Sequence, residues 1–280
     1  MSPASTKPFG PIRAEYTFFE THATEAAADL RAYAPYIHAL AAENRPVRLL
    51  DFGCGEGRFS AQFLALLGLA PEQLWLSLVE PDARYRYQAV EQLQPFTAHP
   101  VRAWPDLPPD LDAGVDLLLA NHVLYYVPDL DYGLSALRRA LAAPGLLLIA
   151  MGGQRHPLFQ LLSQGFALMG KPVPFHSAED LEEALVHQGE GYSKQEVHSV
   201  LTFLDSTANR ERILRFLLGS DVPVGLRQPM QALFTPYAAA GTVTIPLVHE
   251  QFILQREDPA GGGAGTPIFP GRVVPSWRPV

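Results

Sequence analysis

The chain has 280 residues, 21 basic against 29 acidic, a net charge of −8 and 48% apolar residues. This composition excludes general disorder, and an acidic balance without a Lys/Arg cluster argues against a nucleic-acid partner. The single cysteine, Cys54, excludes an intramolecular disulfide and a Cys-based zinc site, and the nine histidines show no metal-ligand spacing such as His-Glu-x-x-His.

The opening stretch MSPASTKPFGPIRAEY has no signal-peptide apolar core, and no run of about 18 apolar residues occurs, so the expectation is a cytoplasmic protein with no membrane partner. Residues 1–14 read as a mobile, Pro-containing start. The first helix spans about Thr24 to Ala42, with Leu30, Tyr33, Ile37 and Leu40 on one face and Pro35 as a potential kink. Residues 1–45 thus form an N-terminal flap and helix.

A regular alternation follows over 46–153. VRLLDFG (47–53) reads as a buried strand, and Phe59, Phe63 and Leu67 mark a helix stopped at Gly68. LWLSLVE (74–80) is the second strand, 82–94 a helix, and 99–104 a weaker strand. VDLLLAN (115–121) is the short apolar run expected of a doubly covered parallel strand. A helix carrying Leu130, Leu134, Leu137 and Leu141 leads through Pro144-Gly145 into LLLIAM (146–151). Repeated strand–helix–strand units predict an α/β, doubly wound, mostly parallel sheet of seven strands. Over 154–257 the sheet is completed, with strands at 193–204 and 242–257, and helices at 155–170, 178–188 and 207–219 act as a lid. Residues 225–240 are mixed. The tail 258–280 is Gly/Pro-rich, with Ile268, Phe269 and Trp277 as docking candidates.

The chemistry concentrates in Asp51-Phe52-Gly53-Cys54-Gly55-Glu56-Gly57, where a buried strand hands over to a helix. Ligands of open α/β sheets bind at such carboxyl ends. Arg58 occupies the last position of a dinucleotide fingerprint counted from Gly53, and the Lys-Ser/Thr of a P-loop is missing. An acid inside the strand repels phosphate and attracts an ammonium, while Glu80, ending the second strand, is placed to accept ribose hydroxyls. A ligand with a ribose, an ammonium and no phosphate satisfies both acids; S-adenosylmethionine is one.

In order and spacing, DFGCGEG, LVEPD, DLLLANHVLYYVPD and LRRALAAPGLLLIA resemble the motifs of class I S-adenosylmethionine-dependent methyltransferases over about residues 47–153. The resemblance implies a Rossmann-like core in which Asp51, Gly53, Cys54, Gly55 and Gly57 hold the methionine part and Glu80 the ribose. It places Pro81 and Asp82 near the adenine. Ala103 and Trp104 stand where the family often has an acid after the third strand, which puts the adenine amino contact in doubt and leaves Trp104 to stack. Asn121 and His122 line the methionine end, and His122 is the candidate catalytic base for an acceptor that must lose a proton. A hydrogen-bonded wall residue is its competing reading. Tyr16, Tyr125 and Tyr126 are the substrate-side candidates, while Cys54 is a small spacer.

His156, His176, His187, His198 and His249 read as ordinary surface or core residues, and His249 and Glu250, adjacent in a strand, should face opposite sides. Arg210, Arg212 and Arg215 read as a solvated helix face. The expected activity is methyl transfer to the N or O atom of a small, partly apolar molecule. The competing class is a non-catalytic S-adenosylmethionine-binding partner subunit; a nicotinamide oxidoreductase is disfavoured by Arg58 and Asp51.

Overall fold

The computed structural model describes residue 7, residues 9–111 and residues 114–256. The expected tail, with Ile268, Phe269 and Trp277, lies outside them. The strands are β1 (Val47–Phe52), β2 (Leu74–Val79), β3 (Arg102–Trp104), β4 (Val115–Asn121), β5 (Leu141–Met151), β6 (Ser193–Leu204), β7 (Ala238–Ala239) and β8 (Thr242–Arg256). The helices are α1 (Arg13–His22), α2 (Glu25–Ala42), α3 (Arg58–Leu67), α4 (Ala83–Leu93), α5 (Leu130–Ala140), α6 (Pro157–Leu168), α7 (Ala178–His187), α8 (Thr207–Leu218) and α9 (Arg227–Ala232).

One sheet runs in the order β3-β2-β1-β4-β5-β8-β6. Its first five strands are parallel; β8 is antiparallel to both β5 and β6. The order reverses between β1 and β4, and ligands bind at such a switch point, outside the carboxyl ends of the strands.

Alternation along the strands explains the layers. Leu49, Leu76, Leu78, Leu117 and Leu119 face α2, α3 and α4, where they meet Tyr33, Ile37, Phe63, Leu67 and Leu93. Leu50, Val79, Leu118, Ala120, Leu147 and Ile149 face the other way, onto Leu134 and Leu137 of α5 and Leu181 and Leu185 of α7. Both faces are covered, so the middle of β4, Leu117 to Ala120, is apolar and buried. Truncating one such Leu to Ala costs about 2–5 kcal/mol. A third cluster joins Phe18 and Phe19 of α1 to α6, α8 and the outer strands.

Four local expectations are revised. A helix, α1, begins at Arg13 within the stretch expected to be mobile, because Phe19 stacks on Phe216 at 4.7 Å and Phe18 meets Phe203 edge-on at 5.9 Å, fixing α1 by tertiary packing. The sheet has an eighth strand, since Ala240 and Gly241, both at positive φ, form a two-residue turn that folds β7 onto β8. Leu141 already pairs with Val115 as the first residue of β5 and is not the last of α5. The helix at 24–42 continues through Pro35, whose position on the exposed face lets solvent reach the carbonyl it leaves unpaired. Among the described residues, no helix is long and apolar enough to cross a membrane.

Candidate active site

The loop between β1 and α3 is held by two donors: the Gly53 and Cys54 N–H groups donate to the Val79 carbonyl at 2.8 and 3.3 Å. Gly53, Gly55 and Gly57 all take positive φ, which favours glycine. Their surroundings differ. A Cβ on Gly53 would lie 2.2 Å from Val123 Cγ2, and one on Gly57 would lie 3.2 Å from the Ala89 backbone, whereas one on Gly55 meets nothing within 4 Å. Gly53 is therefore required by packing, Gly57 has little room beside α4, and Gly55 opens a cradle at the mouth of the sheet.

Glu80 frames that cradle: its carboxylate accepts from Gly55 N–H at 3.0 Å and from Asp82 N–H at 2.9 Å. Asp51 lies beneath, bonded to the Ser60 hydroxyl. Burial pushes the Asp51 carboxyl up to about 7, opposed by the Ser60 bond and assisted by the Glu80 charge. Burial likewise raises Glu80. Two desolvated carboxyls flanking an open glycine turn fit a ligand that carries an ammonium and ribose hydroxyls. Cys54 is buried and its thiol is pushed well up, first by burial, which suits an inert spacer.

Beside Glu80, β3 ends at Trp104, whose carbonyl accepts the Glu80 N–H at 3.0 Å. Ala103 and Trp104 are both half-buried. Pro81 is exposed, and Asp82 caps α4 by accepting from the Arg84 and Tyr85 N–H groups. The structure thus gathers Asp51, Gly53, Cys54, Gly55, Gly57, Glu80, Pro81, Asp82, Ala103 and Trp104 at one corner of the sheet. Arg58 bridges Glu20 of α1 and Glu56 of the loop at 2.9 and 2.8 Å, and Arg13 reaches Glu56 at 2.6 Å, tying the N-terminal helix to that corner.

Asn121 and His122 follow at the end of β4. His122 holds a positive φ of 53°, an uncommon conformation for a side-chain-bearing residue. Its Nε2 lies 3.0 Å from Asp29 Oδ2 and its Nδ1 3.2 Å from the Tyr125 hydroxyl. Burial alone would lower its pKa, but Glu25 and Asp29 outweigh it and hold the imidazole at about 9. An imidazolium has no lone pair, so in this resting arrangement His122 pairs with Asp29 and orients Tyr125; to act as a base it must first lose its Nε2 proton. The Asn121 amide accepts from the Tyr33 hydroxyl at 3.1 Å and donates to Asp29 at 3.2 Å.

Asp29 is the hub of this group. Although burial opposes its ionisation, His122 and His249 hold its carboxyl well below the usual range. Asp29 Oδ1 accepts from His249 Nε2 at 2.6 Å and Gln251 Nε2 at 2.8 Å. Glu25 lies one turn earlier, 3.7 Å from His122 Nε2 and His156 Nε2 and 3.9 Å from His249 Nδ1. His249 and Glu250 do face opposite ways, Glu250 pairing with Arg155 at 3.2 Å. Glu25, Asp29, His156 and His249 form no sequence motif, since they come from α2, the turn after β5, and β8. One signal was available: Asp29 precedes Tyr33 and Tyr36 by four and seven residues, on the buried face of α2.

The three tyrosines expected on the substrate side separate into two settings. Tyr125 is bound into the His122 network, and its hydroxyl also accepts the Gly152 N–H. Tyr16 and Tyr126 meet through Phe9, with ring centroids 5.3 Å from it in both cases, and Phe175 and Phe216 complete the aromatic group. The Lys7 ammonium sits among these rings, 4.4 Å from the Phe216 centroid, and burial lowers its pKa to about 7. Beyond Phe175, a cleft of about 430 Å³ is lined by Phe159, Ser163, Val173 and Asp180. The arginines of α8 do not form a freely solvated face: Arg210 pairs with Asp205 and lies over Phe234, Arg212 lies over Phe18, and Arg215 pairs with the buried Glu15.

A methyltransferase-domain family model matches residues 20–192. Among solved structures, the YcgJ protein of Bacillus subtilis is 16% identical with a TM-score of 0.55, covering 81% of this chain and 100% of its own. A Bacillus halodurans C-125 protein described as a candidate methyltransferase is 12% identical with a TM-score of 0.54, at the same coverages of 81% and 100%. At these identities the likeness speaks for the fold. A highly reducing polyketide synthase of Purpureocillium lilacinum is 29% identical over 126 residues, which span 42% of this chain and only 5% of the synthase. With the glycine cradle, the paired acids and the switch-point sheet already in place, the family match leads to one conclusion: the chain belongs to the methyltransferase-domain family, enzymes of Rossmann-like fold that use S-adenosylmethionine as methyl donor.

Proposed function

We propose that this chain transfers the methyl group of S-adenosylmethionine to an oxygen or nitrogen atom of a small, partly apolar molecule. The observation that carries the reading is the convergence, at one end of the sheet, of the open Gly55 cradle between Asp51 and Glu80 with the Asn121–His122 turn beside it. When bound, the cofactor supplies an electrophilic methyl on a sulfonium. The chain's own work is then to orient, to exclude water and to hold charge. Asp51 faces an ammonium, Glu80 faces hydroxyls, and the half-buried turn of His122 and Tyr125 confronts the acceptor. The aromatic group of Phe9, Tyr16, Tyr126, Phe175 and Phe216 supports an acceptor with apolar surface.

The test is calorimetric titration with S-adenosylhomocysteine and, separately, NADH, on the wild type and on Glu80→Ala. Binding of the homocysteine compound alone, weakened in the variant, supports the reading and leads to a screen of small phenols, alcohols and amines. Tight binding without turnover on any acceptor favours the non-catalytic partner subunit. Binding of NADH instead rejects both.

A further inference from the structure

Beside the glycine cradle, one ligand atom from each of three residues distant in the chain converges, a Glu25 carboxylate oxygen and a ring nitrogen of His122 and of His249, all within 4.8 Å of one another. We propose that they form a binding site for a first-row divalent cation, of the Zn²⁺, Mn²⁺ or Fe²⁺ class.

His249 supplies the decisive detail. It is fully buried in β8, and its Nε2 lies 2.6 Å from the Asp29 carboxylate. A carboxylate can only accept, so Nε2 carries the proton. Nδ1 has no hydrogen-bond partner among the described residues, and it points at Glu25 Oε1 from 3.9 Å. That distance is too long for a hydrogen bond. A buried nitrogen lone pair facing a carboxylate oxygen is a repulsive arrangement unless positive charge lies between them. The opposite nitrogen resting on a carboxylate is the outer contact that fixes ring orientation in metal-bound histidines.

The rest of the group agrees. Glu25 Oε2 lies 3.7 Å from His122 Nε2. Ligands at about 2.0–2.1 Å from one tetrahedral cation stand about 3.4 Å apart, so each atom needs to move by less than about 1 Å. His156 is not a ligand. Its Nδ1 accepts the Leu158 N–H at 3.1 Å, which places the ring proton on Nε2, 3.7 Å from Glu25 Oε1, as a second outer contact. The Glu25 and Asp29 carboxylates carry two negative charges, which one divalent cation balances. On binding, the cation replaces the Nε2 proton of His122, and that proton leaves to solvent. Two imidazoles and one carboxylate suit first-row metals better than Mg²⁺ or Ca²⁺.

The site is closed by β8 on one side. His122 and Glu25 keep side-chain exposures of 19% and 12%, so a coordination position stays open toward the turn after β4. If the methyltransferase reading holds, on which this last step rests, the open position favours a hydroxyl acceptor: the oxygen binds, its proton goes to solvent, and the oxygen takes the methyl as the sulfonium becomes a neutral thioether.

The full chain, stripped with a chelator, is titrated with Co²⁺ and then Zn²⁺, followed by visible absorption and proton NMR. The expected result is one Co²⁺ per chain, displaced by Zn²⁺, with two exchangeable, paramagnetically shifted ring N–H signals from His122 and His249. Glu25→Gln, nearly isosteric and partly exposed, should weaken Co²⁺ binding more than about 100-fold, and the outer variant Asp29→Asn about 10–100-fold. Absence of stoichiometric uptake by the wild type overturns the proposal whether or not the variants fold, as does uptake that Glu25→Gln leaves unchanged. Titration of the same samples with S-adenosylhomocysteine separates the two readings. Metal uptake without its binding upholds the metal site and removes the cofactor, and the converse does the reverse.

Discussion

Replacing Asp29 by Ala tests whether the buried carboxylate organises the cluster of His122, His249, Gln251 and Asn121 around it. Asp29 is fully buried and receives His249 at 2.6 Å, Gln251 at 2.8 Å, His122 at 3.0 Å and Asn121 at 3.2 Å. The substitution leaves four donors from β4 and β8 without their acceptor, one of them on a charged imidazole. Removing one partner of a buried, hydrogen-bonded ion pair costs about 3–5 kcal/mol. For a chain of this size, each kcal/mol lowers the melting temperature by roughly 2–4 °C, so the expected fall is on the order of 10 °C. The comparison is Tyr33→Phe, which deletes only the hydroxyl that donates to Asn121 at 3.1 Å and should cost about 1 kcal/mol. Urea unfolding followed by circular dichroism, with calorimetric melting, measures both. If Asp29→Ala loses no more stability than Tyr33→Phe, Asp29 is not the hub described above.

Gly53→Ala and Gly55→Ala should separate folding from binding. The first drives a Cβ to 2.2 Å from Val123 and lowers the melting temperature, whereas the second meets nothing within 4 Å, costs about 1 kcal/mol for its positive φ, and chiefly weakens S-adenosylhomocysteine binding by filling the cradle. Asp51, with its pKa raised to about 7, should ionise when an ammonium arrives; binding therefore releases a proton below pH 7 and tightens as pH rises from 5.5 to about 8. Calorimetry in two buffers of different ionisation enthalpy reads that proton, and identical heats would refute the pairing. Lys7, lowered by burial to about 7 from 10.5, binds more protons in the unfolded chain, so docking of the N-terminal segment strengthens as pH rises from 7 toward 10.5. Lys7→Met should abolish that dependence in limited proteolysis and strengthen docking near pH 7, where cation–π contacts only partly offset burial.

The core and the glycine loop with its neighbouring acid are legible in the chain, because both depend on local order. Each parallel strand is an apolar run followed at once by its helix, and the glycine loop is contiguous, so DFGCGEG and Glu80 are legible as a spaced pattern. Short elements held by distant contacts were not legible: α1 is fixed by Phe203 and Phe216, and β7 exists because Ala240-Gly241 can turn. The Asp29 cluster, by contrast, comes from tertiary packing. Glu25 and Asp29 come from α2, His122 from the turn after β4, His156 from the turn after β5, and His249 from β8; they meet because β8 inserts antiparallel beside β5 and α2 packs on the sheet face with Asp29 against β8. No spacing in the chain encodes that meeting. It arises when a buried carboxylate, which cannot stay ionised alone in a low-dielectric interior, is placed where imidazole groups from other elements can reach it.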